Sequence, residues 1–361
     1  MIQRPAAAMP LARRLLSLVV LAAAMAMLGG CNLVVLDPAG DVAARQGDLI
    51  VIATVLMLIV IVPVIALTLL FAWRYRASNR AATYTPDWDH STQLELVIWG
   101  VPLLIIIALG AVTWISTHLL DPYRPLDRIG PDRPVAAGVK PLEVQVVALD
   151  WKWLFVYPEQ GIATVNEVAV PVDRPVRFRI TASSVMNTFY VPALAGMIYG
   201  MPGMETELNA VINAPGSYQG LSANYSGAGF SHMRFRLHGL DEQGFDRWVS
   251  KVRASPLALS RRAYLELEKP SQREPVRHYT RVDSGLFEAV VNRCVDSTRL
   301  CMDQMMAIDA GGGLGLQGLD RLAMPRRGDA RLGAYVAADV SMANDPPQLP
   351  PSGAAATHAA P

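Results

Sequence analysis

Cysteine is scarce in this chain, and where it occurs is informative. The three cysteines are Cys31, Cys294 and Cys301, so the whole interval between Cys31 and Cys294 lacks a thiol. A thiolate-held metal in that interval is excluded on composition alone, because soft metals such as copper need sulfur or imidazole ligands. Histidine is little better supplied: between residues 121 and 240 only His232 and His238 occur, too few for an all-histidine site. An excess of either charge is also missing. Lys and Arg number 32 against 31 Asp and Glu, a formal net charge of +1, so no basic surface for nucleic acid is expected. Charged residues as a whole are sparse, and 52% of the chain is hydrophobic. That is high for a soluble protein and points to membrane segments. At 361 residues the chain has room for more than one domain.

Residues 1–30 read as a lipoprotein signal peptide. Arg4, Arg13 and Arg14 form a basic start, and Leu15 to Leu28 is an apolar run of signal-core length. It ends in Leu28-Gly29-Gly30-Cys31, which resembles a bacterial lipobox and implies lipidation of Cys31. The alternative is an uncleaved anchor. Residues 31–120 then carry two candidate spans. Leu49 to Trp73 holds no charge and is long enough to cross a bilayer, with Pro63 near its middle. Leu94 to Ile115 is the second, with Pro102 inside and one acidic residue, Glu95, near its start. Arg74, Arg76 and Arg80 cluster in the connecting loop, and the positive-inside rule places that loop in the cytoplasm. Everything after the second span then faces outward.

From Leu142 the pattern changes to short alternating runs. Leu142-Glu143-Val144-Gln145-Val146, Val176-Arg177-Phe178-Arg179-Ile180 and Met233-Arg234-Phe235-Arg236-Leu237 alternate apolar and polar residues. Such runs predict strands with one buried face. Pro171, Pro175, Pro192, Pro202 and Pro215 punctuate them as turns. The region 121–240 is therefore expected to be an all-β sandwich or barrel.

Particular motifs narrow that reading. The stretch Ser222-Ala223-Asn224-Tyr225-Ser226-Gly227-Ala228-Gly229-Phe230-Ser231-His232-Met233 resembles the metal loop of subunit II of haem-copper cytochrome c oxidases. In that family two cysteines four apart, a histidine and a methionine bind a dinuclear copper. Here Ser222 and Ser226 stand for the thiolates, Phe230 for the loop histidine and Asn224 for the intervening glutamate. Asn187 replaces the upstream histidine, and only Met233 keeps a ligand-type side chain. The pattern resembles the quinol-oxidase branch, whose subunit II keeps a cupredoxin-type sandwich and has lost the copper. Asp150-Trp151-Lys152-Trp153-Leu154-Phe155 looks like the family's aromatic segment. Tyr157-Pro158-Glu159-Gln160-Gly161-Ile162-Ala163-Thr164-Val165-Asn166-Glu167 and Asn224-Tyr225-Ser226-Gly227 look like bo-type ubiquinol oxidases.

The resemblance implies a membrane-anchored chain: a two-helix transmembrane hairpin, then an all-β cupredoxin-like sandwich, then a C-terminal α-helical extension. It implies a subunit of a proton-pumping complex that oxidises ubiquinol and reduces dioxygen to water. The haems and one copper are expected in subunit I and no cofactor in this chain. Subunits I, III and IV are the implied partners, with membrane lipid around the helices. The implied location is the bacterial inner membrane, with the β-domain on the periplasmic side. Glu95 falls where the family places a carboxylate at the cytoplasmic mouth of a proton path, so it is the proton-path candidate. Trp151 and Trp153 are expected to pack in or over the sandwich.

After residue 240, Phe245, Trp248, Val249 and Val252 fall at helical spacing, as do Phe287, Val290, Val291 and Val295. Residues 241–310 are read as an extension whose first part, Asp241 to Cys301, forms two or three amphipathic helices. Cys294 and Cys301 lie too far apart on one unbroken helix to bond, so a disulfide requires a break, which Asp296-Ser297-Thr298 offers. Residues 311–361 turn to glycine, alanine and proline and read as a low-complexity tail. Two rival readings remain at this point: a cytochrome c oxidase subunit with an aberrant copper centre, and a membrane-anchored lipoprotein acting as a binding or assembly module.

Overall fold

Two long helices precede any strand. Helix α1 runs Asp41–Arg74 and α2 runs Thr92–Leu119. The computed structural model describes residues 33–310 except 84 and 86, so the signal at 1–30, the lipidation candidate Cys31 and the tail at 311–361 lie outside the described residues. Both helices are long and apolar enough to cross a membrane. Their apolar side chains point outward, among them Ile50, Leu69, Leu96 and Trp99.

Both helices outrun the hydrophobic segments that announce them. Helix α1 starts at Asp41 instead of Leu49 because its first two turns are a docking element, not a membrane element. Asp41, Val42 and Ala43 are buried. Arg128 grips the Asp41 carboxylate through Nε at 3.0 Å and Nη2 at 3.1 Å. The backbone leading in is tied as well: the Ala39 N–H donates to Ala193 O and the Asn213 N–H donates to Ala39 O. Gly40 is required here, since a Cβ would come within 2.2 Å of the Val211 carbonyl oxygen. Helix α2 continues past Ile115 to Leu119. Ser116 and Thr117 bond back to carbonyls one turn earlier, which satisfies their hydroxyls without leaving the helix.

A small hairpin, β1 (Arg128–Gly130) and β2 (Arg133–Pro134), leads into the sandwich. The sandwich strands are β3 (Leu142–Leu149), β4 (Lys152–Tyr157), β5 (Ile162–Val165), β6 (Glu167–Pro171), β7 (Val176–Ala182), β8 (Asn187–Tyr190), β9 (Ile198–Gly200), β10 (Thr206–Ala210), β11 (Gly216–Ser222) and β12 (Arg234–Leu240). One sheet has the order β10-β7-β3-β4-β5, and the other β6-β12-β11-β8-β9. Most pairs are antiparallel, but β3 runs parallel to β7 and β6 parallel to β12. The sheets face each other across an aromatic core. Phe189 and Phe235 stack at 5.3 Å, and the Trp153 ring meets both edge-on at 5.6 and 5.5 Å. Tyr157 bridges the sheets: its hydroxyl donates to Ala169 O and accepts from Ala169 N, both at 2.9 Å. Burial raises its pKa above the usual tyrosine value.

The extension has the expected helices and adds short strands to them. It contains α3 (Glu242–Arg253), α4 (Arg261–Glu268), α5 (Leu286–Val291) and α6 (Met302–Ala310). It also holds three short strands, β13 (Ala258–Leu259), β14 (Arg277–Tyr279) and β15 (Arg281–Val282). Strand β14 pairs with β5 and becomes the edge of the first sheet. Asp241 and Ser260 cap α3 and α4 by accepting from the N–H groups of Gly244 and Ala263. Val295 lies beyond α5, because the helix ends at Val291 and Arg293 takes a positive φ of 56°. That break brings the Cα atoms of Cys294 and Cys301 to 4.9 Å, and a disulfide joins them.

The extension also changes the burial of the sheet beneath it. Alternation predicts one buried face, yet in β3 only Glu143 is not fully buried and β4 is buried throughout. The second face packs Val147, Leu149, Leu154 and Val156 against Tyr264, Leu267, Phe287 and Val290 of the extension. The sheet is thus sandwiched twice.

Candidate functional site

The loop end of the sandwich gathers most of the residues expected at the lost ligand positions. Asn187 opens β8 and Ser222 closes β11, and both are buried. The Ser222 hydroxyl lies 3.1 Å from Asn187 Oδ1 and 3.3 Å from the Asn224 carbonyl, so its single hydrogen serves one or the other. It also accepts from the Thr188 N–H at 3.4 Å. The Asn187 amide donates to Val185 O at 3.2 Å, and the Asn224 amide donates to Met186 O at 3.0 Å. Asn187, Ser222 and Asn224 therefore form a small, mutually satisfied polar network.

Ser226, Phe230 and Met233 occupy the remaining positions differently. The Ser226 carbonyl accepts the Trp151 indole N–H at 2.9 Å, while its hydroxyl is buried without a partner among the described residues. Phe230 packs edge-on against Tyr225 at 5.6 Å. Met233 is 1% exposed and belongs to the core cluster. His232 does not share a strand with Met233: the two sit in and just after a short 3-10 turn, Phe230–His232. His232 is exposed and faces Arg273, 3.2 Å away.

Trp151 roofs this loop. It turns the chain between β3 and β4 with φ of 100°, an unusual conformation for a bulky residue. Gly227 and Gly229 lie directly under the indole, and a Cβ on Gly229 would come within 2.5 Å of the ring. Trp151 is half-buried, whereas Trp153 is fully buried in the core.

The donor set decides what the loop can hold. A dinuclear copper centre needs bridging thiolates and imidazoles. Two hydroxyls, two amides and a phenyl ring, largely engaged with each other and with backbone, do not fit that group. Among the described residues no cluster of three or more His, Cys, Asp or Glu side chains suits a metal ion.

Glu95 stands at the other end of the chain's membrane hairpin, in the first turn of α2. Its carboxylate lies 2.7 Å from His90 Nδ1, and both side chains are half-exposed.

Two buried polar centres escaped the sequence reading. Lys152 is 1% exposed, and its ammonium donates to Asp150 O, Lys269 O and Ser271 Oγ at 3.2, 2.8 and 2.5 Å. Burial lowers its pKa, opposed by Glu274 and Asp150 nearby. Glu167 gathers His278 Nε2 at 2.6 Å, His238 Nε2 at 3.3 Å and the Trp248 indole N–H at 3.4 Å. Both centres join the sandwich to the extension. Their partners are up to 119 residues apart, beyond the reach of any local pattern.

Comparison with known proteins matches these two modules separately. Residues 143–239 match the family described as cytochrome c oxidase subunit II, periplasmic domain. Residues 253–297 match the COX aromatic rich motif. The chain is 52% identical over 269 residues to a cytochrome bo(3) ubiquinol oxidase subunit 2 of Pseudomonas putida, covering 74% of this chain and 83% of that one. It is 50% identical over 265 residues to a ubiquinol oxidase subunit 2 of Acetobacter aceti, covering 73% and 84%. It is 39% identical over 246 residues to a quinol oxidase subunit 2 of Bacillus anthracis, covering 67% and 81%. The chain therefore belongs to the ubiquinol oxidase subunit 2 family.

Proposed function

We propose that this chain is the copper-free subunit II of a ubiquinol oxidase complex that oxidises quinol, reduces dioxygen to water and moves protons outward. The observation that carries the reading is the amide–hydroxyl network of Asn187, Ser222 and Asn224, which replaces a soft-metal ligand set with self-satisfied hydrogen bonds. Without a metal at this loop the described residues offer no centre to take electrons from a soluble carrier, which favours a quinol donor.

On this reading the haems and the copper belong to subunit I, and the chain contributes support. The hairpin α1–α2 crosses the inner membrane twice, and the sandwich faces the periplasm. Lipidation at Cys31 adds a second, weaker attachment beside the hairpin. Subunits III and IV complete the assembly. Glu95, at the cytoplasmic end of α2, delivers protons to the entry of a path in subunit I. An exposed carboxylate beside His90 is suited to collecting protons from bulk water.

The test is purification of the complex from native membranes in mild detergent, with haem and metal analysis and oxygen uptake on ubiquinol and on reduced cytochrome c. Haem, one copper and uptake on quinol alone support the reading. Uptake on cytochrome c with additional copper overturns it, and a preparation without haem or uptake returns the chain to the binding-module reading. For Glu95, substitution to alanine should slow quinol-driven proton uptake; unchanged turnover and pumping would remove it from the path.

A further inference from the structure

Methionine is concentrated where the sandwich meets the extension. The turn Met201-Pro202-Gly203-Met204 leads from β9 to β10. Helix α6 opens on Met302 and carries Met305 and Met306. The two Met-x-x-Met segments are about a hundred residues apart in sequence and are brought together only by the fold.

The turn is firmly built. The hydroxyl of fully buried Thr181 lies 3.2 Å from the Met201 carbonyl and 2.7 Å from the Met204 carbonyl. The Met204 N–H donates to Met201 O at 3.3 Å. Gly203 takes a φ of 76°, and Met302 is laid against it: a Cβ there would come 2.7 Å from the Met302 sulfur. Helix α6 is fixed at this point. The Met302 N–H donates to Asn292 O at 2.9 Å, and the Cys294–Cys301 disulfide ends one residue earlier. Met302, Met305 and Met306 are spaced to share one helix face.

Core packing does not account for Met204, Met305 and Met306, whereas Met201 and Met302 are half-buried. Methionine usually fills irregular gaps inside a protein. Here Met204 is 51% exposed, Met305 43% and Met306 64%. A thioether is a soft ligand that favours monovalent copper over zinc, magnesium or calcium. We propose that the Met201–Met204 turn and the first turn of α6 form a binding site for monovalent copper, with Met201, Met204 and Met302 as ligands and Met305 flanking them. The ion enters and leaves as Cu(I), so no electron is transferred. A thioether has no proton to lose, so binding stays level as pH falls. A site of histidine, carboxylate or thiolate would weaken in acid.

The experiment uses the purified complex and silver(I), a redox-inert probe for soft monovalent sites. Bound silver is counted after desalting, at neutral and mildly acidic pH. The parent should retain one silver ion more than the variant carrying Met201→Leu, Met204→Leu and Met302→Leu together. Leucine conserves volume, and thermal melting checks that the variant is folded. Each single Leu variant should lose at least about tenfold in affinity, since removing a ligand costs no less than removing a group that merely orients one. Gly203→Ala should also weaken binding by pushing Met302 away, while Met57→Leu in α1 should leave it intact. Equal silver in the parent and the folded triple variant overturns the proposal. So does a loss of the extra silver in mild acid, or a cluster so covered by partner subunits that the parent binds none.

Discussion

Arg128 holds Asp41 by two parallel hydrogen bonds, although Asp41 opens a helix that leads into the membrane and Arg128 lies in the linker before the sandwich. The Asp41 side chain is 2% exposed and that of Arg128 37%. The contact makes the hairpin and the outer domain continuous. Asp41→Ala should destabilise the protein by about 2 kcal/mol, below the cost of breaking a fully buried pair because Arg128 remains in reach of water. Denaturant unfolding in detergent measures it. A change under about 0.5 kcal/mol would mean that the backbone contacts at Ala39 and Gly40 suffice without the ion pair.

Among the described residues Glu167 alone accepts the indole N–H of Trp248, and it also pairs with His278. Glu167→Ala strands both partners in largely buried surroundings and should cost about 1–3 kcal/mol. Trp248 emission should shift to the red, and trypsin should cut sooner at Arg277 and Arg281. Glu167→Gln, which keeps one carbonyl oxygen, should recover part of the loss. Intact protease resistance in the alanine variant would show that the apolar contacts of α3 alone hold the extension.

Lys152 yields a pH dependence with a definite sign. Burial lowers its folded pKa below the ordinary 10.5, so between the two values the unfolded chain binds more protons than the folded one. Stability must then rise with pH across that window. The cost of burying the charge is in full force below the folded pKa and fades as pH climbs towards 10.5. Lys152→Met should destabilise the protein at neutral pH by leaving the Lys269 carbonyl without its donor. The gap between parent and variant should widen in alkali. A gap that narrows or stays level would contradict the assigned direction.

Gly229 lies against the Trp151 ring with no space for a side chain. Gly229→Ala should lift the indole and break its 2.9 Å hydrogen bond to the Ser226 carbonyl. The cost should be about 1–3 kcal/mol, typical of overpacking. A crystal or cryo-electron microscopy structure of the variant with Trp151 unmoved would refute this.

Much of this architecture was visible in the sequence because its signals are local. The two apolar runs, the alternating strands and the substituted loop each occupy a few adjacent residues. Nothing in the sequence near Leu149 or Val156 announces the second layer that buries them. The start of α1 was hidden for a related reason: Asp41, Arg45 and Asp48 interrupt the hydrophobic run, and the helix there is held by Arg128, far along the chain. Strand β14 has three residues, too few for a periodic signal. The polar loop was legible as a set of replacements, but which replacements bond to which depends on β8 and β11 meeting at Phe189 and Ser222.

The pairing of β14 with β5 bears on solubility. Without residues 277–279, β5 would end its sheet with bare N–H and carbonyl groups, beside an uncovered face of Val147, Leu149, Leu154 and Val156. An unprotected, apolar edge of that kind recruits strands from other molecules. The extension thus covers an edge and an apolar face that would otherwise invite pairing between copies of the chain.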